Sequence, residues 1–313
     1  MIKFTAKRLV SGIVLLVIVA VASFFLAHIA IGDPTQALLG STAKPVQRAA
    51  LRQQLGLNQP LIEQFWTWFR HAITGNLGTS WANHDSVNSE LATKLPTTLS
   101  VVVFGIIICA VVGTVFGLIS GLRPGSAIDR IVKGAAVILF ALPGFWVSLI
   151  LITWFAVDLK IFPAVGYVPP SQSFSGWLLS ITLPAVSLAL GGIVSIAEQL
   201  RNAIVSIGNQ DFVRTLRSRG LPSWSITIHL LRNAAPAALT VLSLQFVGLL
   251  GGAIVVETIF NLPGIGAATS SASLVGDIPV LLGITVVSVL FVVIVNFLLD
   301  LVLGWINPKA RVQ

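Results

Sequence analysis

Three arginines, Arg214, Arg217 and Arg219, stand close together in a segment, 210–240, that is polar and basic between two long apolar runs. Guanidinium groups at such density can pair with acids on another surface. Phe212, Leu216, Leu221 and Trp224 stand among them and would give apolar anchors for a groove on a partner. The segment reads as two short amphipathic helices broken at Gly220, a residue that can close a helix in the left-handed conformation. Pro222 would stop the first helix and Ser223 is placed to cap the second. The chemistry implied is docking: a helix, glycine, helix hairpin held against a bilayer and gripped from outside it.

Other residue types that do chemistry do not assemble into a catalytic pattern. Nucleotide hydrolysis by a phosphate-binding loop needs Gly-Lys followed by Ser or Thr, and the chain has no Gly-Lys dipeptide. A zinc protease needs two histidines a helical turn apart with a glutamate between, whereas His28, His71, His84 and His229 are scattered. Ser120, in GLISG, resembles a nucleophile, but no histidine falls within the last five apolar runs. Paired acids at membrane depth, needed for aspartyl proteolysis, are missing from those runs. Cys109 is the single cysteine, so neither a disulfide nor a thiolate cluster can form within one chain. The chain is expected to be non-catalytic, without cofactor or metal of its own.

The elements that must hold the hairpin follow from composition. A hydrophobic fraction of 55% with 10% charged residues marks an integral membrane protein. Crossing the hydrocarbon core takes about 20 apolar residues as a helix. Six runs qualify: 9–31, 97–118, 137–157, 178–196, 234–255 and 280–299. The first exceeds a signal-peptide core and has no small-residue cleavage site, so it reads as a retained span. Of the 19 Lys and Arg, 13 fall on one face of an alternating six-span arrangement. They are Lys3, Lys7 and Arg8; Arg123, Arg130 and Lys133; Arg201, Arg214, Arg217, Arg219 and Arg232; and Lys309 and Arg311. The two short loops of the other face hold only Lys160. The positive-inside rule then sets both termini in the cytoplasm, and explains the net charge of +8 without nucleic acid.

Between the first two spans, 32–96 is too long for a simple connection and is expected to be a small extracytoplasmic helical module. It contains helical runs at 45–55 and 61–73, the second crowded by Phe65, Trp66, Trp68 and Phe69. These aromatics suit either the headgroup interface or a small core under the loop. Glycines cluster at Gly105, Gly113 and Gly117, at Gly191 and Gly192, and at Gly248, Gly251 and Gly252, where close helix packing is the expectation. Pro143 and Pro184 are expected to kink their spans. Glu257 and Asp300 sit at span ends, where snorkelling or pairing with a neighbour is expected; an ion-coupled carrier would put an acid nearer the midplane.

These residues resemble the permease subunits of binding-protein-dependent ABC importers, in the dipeptide, oligopeptide and nickel branch. That superfamily's cytoplasmic signature runs Glu-Ala-Ala, three residues, then Gly. Here Arg214, Thr215 and Leu216 stand at the first three places and Gly220 at the last; the peptide branch commonly has Arg-Thr-Ala, from which Leu216 departs. Nearly the whole chain is similar: Gly32-Asp33-Pro34, LRQQLGLNQPL at 51–61, GNLGTS at 75–80, LPTTL at 95–99, ALPGFW at 141–146, ITLPAVSLAL at 181–190, RNAAP at 232–236 and VVETIFNLPGIG at 255–266. The long outer module looks like that of the first permease of such pairs.

The resemblance implies an all-α fold with an N-terminal span at 1–31, the outer module at 32–96 and a five-helix permease core at 97–313 carrying the coupling hairpin. It implies half a translocation pathway for di- or oligopeptides in a prokaryotic cell membrane. The implied partners are a second permease, two cytoplasmic ATPases that bind ATP and Mg, an extracytoplasmic solute-binding protein and membrane lipid. Arg214, Thr215, Leu216, Arg217, Gly220 and Leu221 would lie at or beside the ATPase contact, with Gly220 as pivot. Trp66, Trp68 and the segment from Gly75 to Ser80 would form the floor for the binding protein, or else support the first span. Two other functions fit the residues: the same architecture importing nickel or another small solute, and a membrane receptor or scaffold whose hairpin recruits a cytoplasmic partner.

Overall fold

The computed structural model describes residues 2–40 and 42–306, with side chains from Thr5 onward. Lys309 and Arg311, assigned to the inner face by sequence, lie outside the described residues, as does the Lys3 side chain. The helices are α1 (Ile2–Ile31), α2 (Pro34–Leu39), α3 (Pro45–Gln54), α4 (Leu61–Ile73), α5 (Val87–Leu122), α6 (Ala127–Ala141) and α7 (Gly144–Leu151). A π-helical turn, Ile152–Asp158, extends α7. Then come α8 (Phe174–Gly208), α9 (Asp211–Ser218), α10 (Ser223–Ile259), α11 (Ile265–Val275) and α12 (Ile278–Ile306). Among the described residues the only extended pairing is an isolated antiparallel bridge from Thr79 to Ser86.

Among the described residues five helices, α1, α5, α8, α10 and α12, are long and apolar enough to cross a membrane. The sequence reads 137–157 as one span, and here the structure differs. Helix begins at Ala127 and breaks at Leu142 and Pro143, and α6 and the helix after the break meet at 103°. The cause is local. Proline crowds the residue before it out of the helical region, and Leu142 accordingly takes φ −84°, ψ 129°. Pro143 then caps α7 in an extended conformation. Counted as one broken span, the pair makes six. Pro184, by contrast, sits inside the continuous α8, and Pro236 inside the continuous α10.

The chain divides into two compact units. In the first, centred on Leu99–Leu262, α8 is the axis: 56% of its apolar window is buried, the highest share of the five long helices. Helix α5 reaches α8 through glycines one turn apart. A Cβ on Gly113 would lie 2.9 Å from Ile196 Cβ, one on Gly117 2.7 Å from the Ala197 carbonyl oxygen, and one on Gly121 2.9 Å from Ile204 Cβ. No side chain fits there, so small residues every four positions are what let the two backbones approach. Gly105 and Gly192 are as tightly met, by Leu249 and Cys109. Gly191 and Gly251 meet nothing within 4 Å, so the packing expectation does not extend to them.

The second unit holds Lys7–Thr98 and Pro263–Val293. Its aromatic core joins Phe24 and Phe25 of α1 to Phe65, Trp68 and Phe69 of α4, with Ile278 and Leu282 of α12 beneath. Phe24 and Phe65 meet edge to face with centroids 5.4 Å apart, a favourable quadrupole arrangement. The small-core alternative therefore describes Phe65, Trp68 and Phe69, while Trp66 stays 51% exposed. A second cluster sets Leu77, Val87 and Leu91 against Ile265, Ala268 and Val280.

Candidate functional site

The hairpin is built by a helix stop of defined geometry. Gly220 sits at φ +72°, a conformation glycine adopts without steric cost. Its N–H donates to the Arg217 carbonyl at 3.0 Å and that of Leu221 to the Leu216 carbonyl at 3.3 Å. Those two bonds form a Schellman closure of α9, and Leu216 and Leu221 supply its usual apolar contact by packing on one core cluster. Gly220 therefore does what its type predicts. Ser223 does not: Pro222 occupies the cap position of α10 and no side chain caps that end. Nor is the second helix short. Helix α10 runs unbroken for 37 residues from the hairpin into the apolar run, because no breaker intervenes between Ser223 and Pro236.

The hairpin's two faces separate cleanly. Val213 is fully buried, and with Leu216, Leu221, Ile226 and Leu230 it packs against Leu200 and Ile204 of α8. Residues three apart share a helix face, so Val213 and Leu216 turn inward together. Leu216 and Leu221 are consequently braces of the hairpin, whereas the sequence had grouped them with the outward anchors. Arg214, Thr215, Arg217 and Arg219 are exposed, as are Phe212 at 38% and Trp224 at 70%. Arg214 lies 3.5 Å from Asp211 in a loose surface pair. The outward face thus offers cations flanked by two aromatic side chains.

Behind the hairpin lies a polar node that sequence reasoning missed. Asp129, fully buried at the start of α6, accepts bonds from Nε and Nη2 of Arg201 on α8. It also accepts from Ser120 Oγ at 2.5 Å and the Gly125 N–H at 2.8 Å, with Lys133 Nζ 3.5 Å away. Ser120 therefore serves as a structural donor to a buried carboxylate. A local signal did exist: Ser126 caps α6 by accepting from the Asp129 N–H, the first half of a capping box. Nothing local pointed to Arg201.

A cleft of about 410 Å³ opens among α7, α8 and α10. Gly144, Gly191, Gly248 and Gly252 leave helix backbone bare along its walls, and Ser187 and Gln245 are its polar side chains. In the other unit, of the residues expected to receive a binding protein, Trp66 is exposed and Trp68 is part of the aromatic core. Gly75 turns the chain after α4 at φ +84°. Ser80 is buried, its Oγ donating to Asp277 at 2.5 Å, while the N–H groups of Trp81 and Ala82 donate to the same carboxylate. Ser80 holds the loop from within.

Long apolar helices, with a basic hairpin closed at a glycine leading into one of them, are those of a multi-pass membrane protein. The chain belongs to the family of binding-protein-dependent transport system inner membrane components, whose model matches residues 113–312; the model of that family's N-terminal part matches residues 1–102. A putative peptide transport system permease protein of Brucella abortus (strain 2308) is 34% identical over 306 residues, 97% of this chain and 98% of the relative. A probable peptide ABC transporter permease of Sinorhizobium fredii is 33% identical, covering 98% and 99%. A glutathione transport system permease of Salmonella choleraesuis is 33% identical, covering 99% of each. Among solved structures, an inward-facing form of the MetNI methionine ABC transporter aligns with TM-score 0.52 at 19% identity, over 68% of this chain and 95% of that one, a likeness of fold. The resemblance read from the motifs is borne out.

Proposed function

We propose that this chain is the transmembrane permease subunit of an ATP-driven importer of di- or oligopeptides, forming half the pathway and passing motion from cytoplasmic ATPases to the membrane helices. The observation that carries the reading is the outward face of the hairpin at Gly220, in a chain related over nearly its full length to proteins named as peptide permeases. Both termini and the hairpin lie on the cytoplasmic side by the positive-inside rule, and the helices α2, α3 and α4 lie outside. Arg214 and Arg217, with Thr215, face the ATPase; Phe212 and Trp224 seat in its groove; Gly220, braced by Leu216 and Leu221, sets the angle of the contact. ATP and Mg belong to the ATPase subunits. Closure of the ATPases on ATP moves the hairpin and shifts the bundle between inward-open and outward-open states, since a ligand acts only through its differential affinity for the two. A binding protein delivers cargo to the outer module, with Trp66 and the turn at Gly75 as its exposed contacts.

The test is ATP turnover by the chain reconstituted in lipid with its co-encoded permease and ATPases, with and without a binding protein loaded with short peptides or with nickel. Stimulation by the peptide-loaded protein is expected. Stimulation by nickel alone would select a metal importer of the same architecture. No stimulation in an assembled complex would select the receptor or scaffold reading.

A further inference from the structure

Gln245 is the only amide or charged side chain in the apolar run 234–255, and it stands at the middle of that run. Ser187 stands at the middle of 178–196, which contains no amide or charge at all. The cleft they share therefore sits at the depth of the bilayer centre when these runs span it. Gln245 is half-buried on the cleft wall, so its carboxamide is open to whatever occupies the cleft, and at that depth few competing polar groups surround it. Among the described residues neither end of the Gln245 side chain has a partner. Its Oε1 lies 3.5 Å from where a Cβ on Gly192 would stand and 3.9 Å from one on Gly248, so it lies against glycine surfaces on both helices. The Ser187 hydroxyl is already committed to the Pro184 carbonyl at 2.8 Å.

We propose that Gln245 is the residue of this chain that reads the peptide backbone of the cargo at mid-membrane. The inference rests on the importer reading and deepens it. A carboxamide offers an acceptor and two donors, the complement of a peptide group, and so recognises what all peptides share. Gly191 and Gly248 leave the wall beside it without side chains. The cleft's lining contains no carboxylate, imidazole or thiolate, so a divalent metal ion finds too few ligands there.

The experiment measures uptake of Ala-Ala-Ala and of its backbone N-methylated form into liposomes carrying the whole complex, supplied with loaded binding protein. N-methylation removes the donor that the Gln245 carbonyl accepts from. Gln245→Leu is expected to lower uptake of Ala-Ala-Ala about tenfold, the worth of one hydrogen bond, and to bring the two peptides toward equal rates. Gln245→Asn, which keeps the amide, is expected to restore part of the preference. If Gln245→Leu keeps the wild-type ratio between the two peptides, the assignment is overturned. It is equally overturned if both variants lose co-purification with the second permease, because the cleft is then a packing surface between subunits. Failure of the importer reading looks different: the assembled wild type would take up neither peptide.

Discussion

Arg201 and Arg214 carry the same charge on successive helices and spend it oppositely. Arg201 is drawn into a two-pronged contact with the buried Asp129, backed by Ser120 and the Gly125 N–H, and ties α8 to the start of α6. Arg214 stands 75% exposed beside an Asp211 that is itself 94% exposed. Exposed pairs of that kind contribute little to stability, whereas a buried carboxylate stripped of its partner is strongly destabilising. Arg201 thus helps hold the structure together, whereas Arg214 is left facing outward.

Disturbing each arginine's surroundings in turn tests the division. Asp129→Ala, which strands Arg201, is expected to cost about 3–5 kcal/mol, seen as a lowered melting temperature of the purified complex. The joint change Asp129→Leu with Arg201→Met is expected to recover most of it, and a silent single variant would remove the node's structural role. Trp224→Ala is expected to leave the melting temperature in place and to weaken ATPase association by about 2 kcal/mol, roughly thirtyfold, with Arg214→Glu acting in the same direction. Titration of ATPase subunits onto the permease pair reads this directly; a lost melting temperature instead would make the hairpin's outer face structural.

The smallest effect belongs to a half-exposed charge in the second unit. The Asp33 carboxyl is held below its usual value first by the Thr35 hydroxyl, then by the Thr35 N–H and the positive charges of Arg52 and Arg48, against the opposing cost of burial. A carboxylate depressed in the folded state adds stability that is present above its unfolded pKa and lost as pH falls through the folded one. Acidification below about pH 4 is therefore expected to release the cap of α2, read as faster amide exchange over 35–39. Asp33→Asn is expected to remove that pH dependence.

The same contrast separates what was legible in the sequence from what was not. The closure at Gly220 was readable because its determinants, Gly220, Pro222 and the apolar period of α9, lie within one turn of each other. The long apolar runs were readable because bilayer thickness sets their length. The merging of the second hairpin helix into α10 was not, since a change from polar to apolar composition does not interrupt backbone hydrogen bonding. Pro143 announced a kink but not a 103° bend, which depends on how α6 and α7 each pack against α8. The Asp129 node joins residues 72 positions apart, a distance no periodicity spans. Gln245 was visible as the one amide in its run, but its lack of a partner became evident only when the walls around it proved to be glycine.

The continuity of α10 has a mechanical consequence. A helix of 37 residues is a rod about 55 Å long, with Trp224 at one end and Gln245 some 30 Å along it. Tilting such a rod by about five degrees about its lower end carries Gln245 sideways by nearly 3 Å, a hydrogen-bond length. On the proposed reading, a stroke too small to remodel the hairpin is thus enough to make or break a contact at Gln245. Pro236, whose ring takes one hydrogen bond out of the ladder between those two points, is the place where the rod's stiffness sets how much of that stroke arrives.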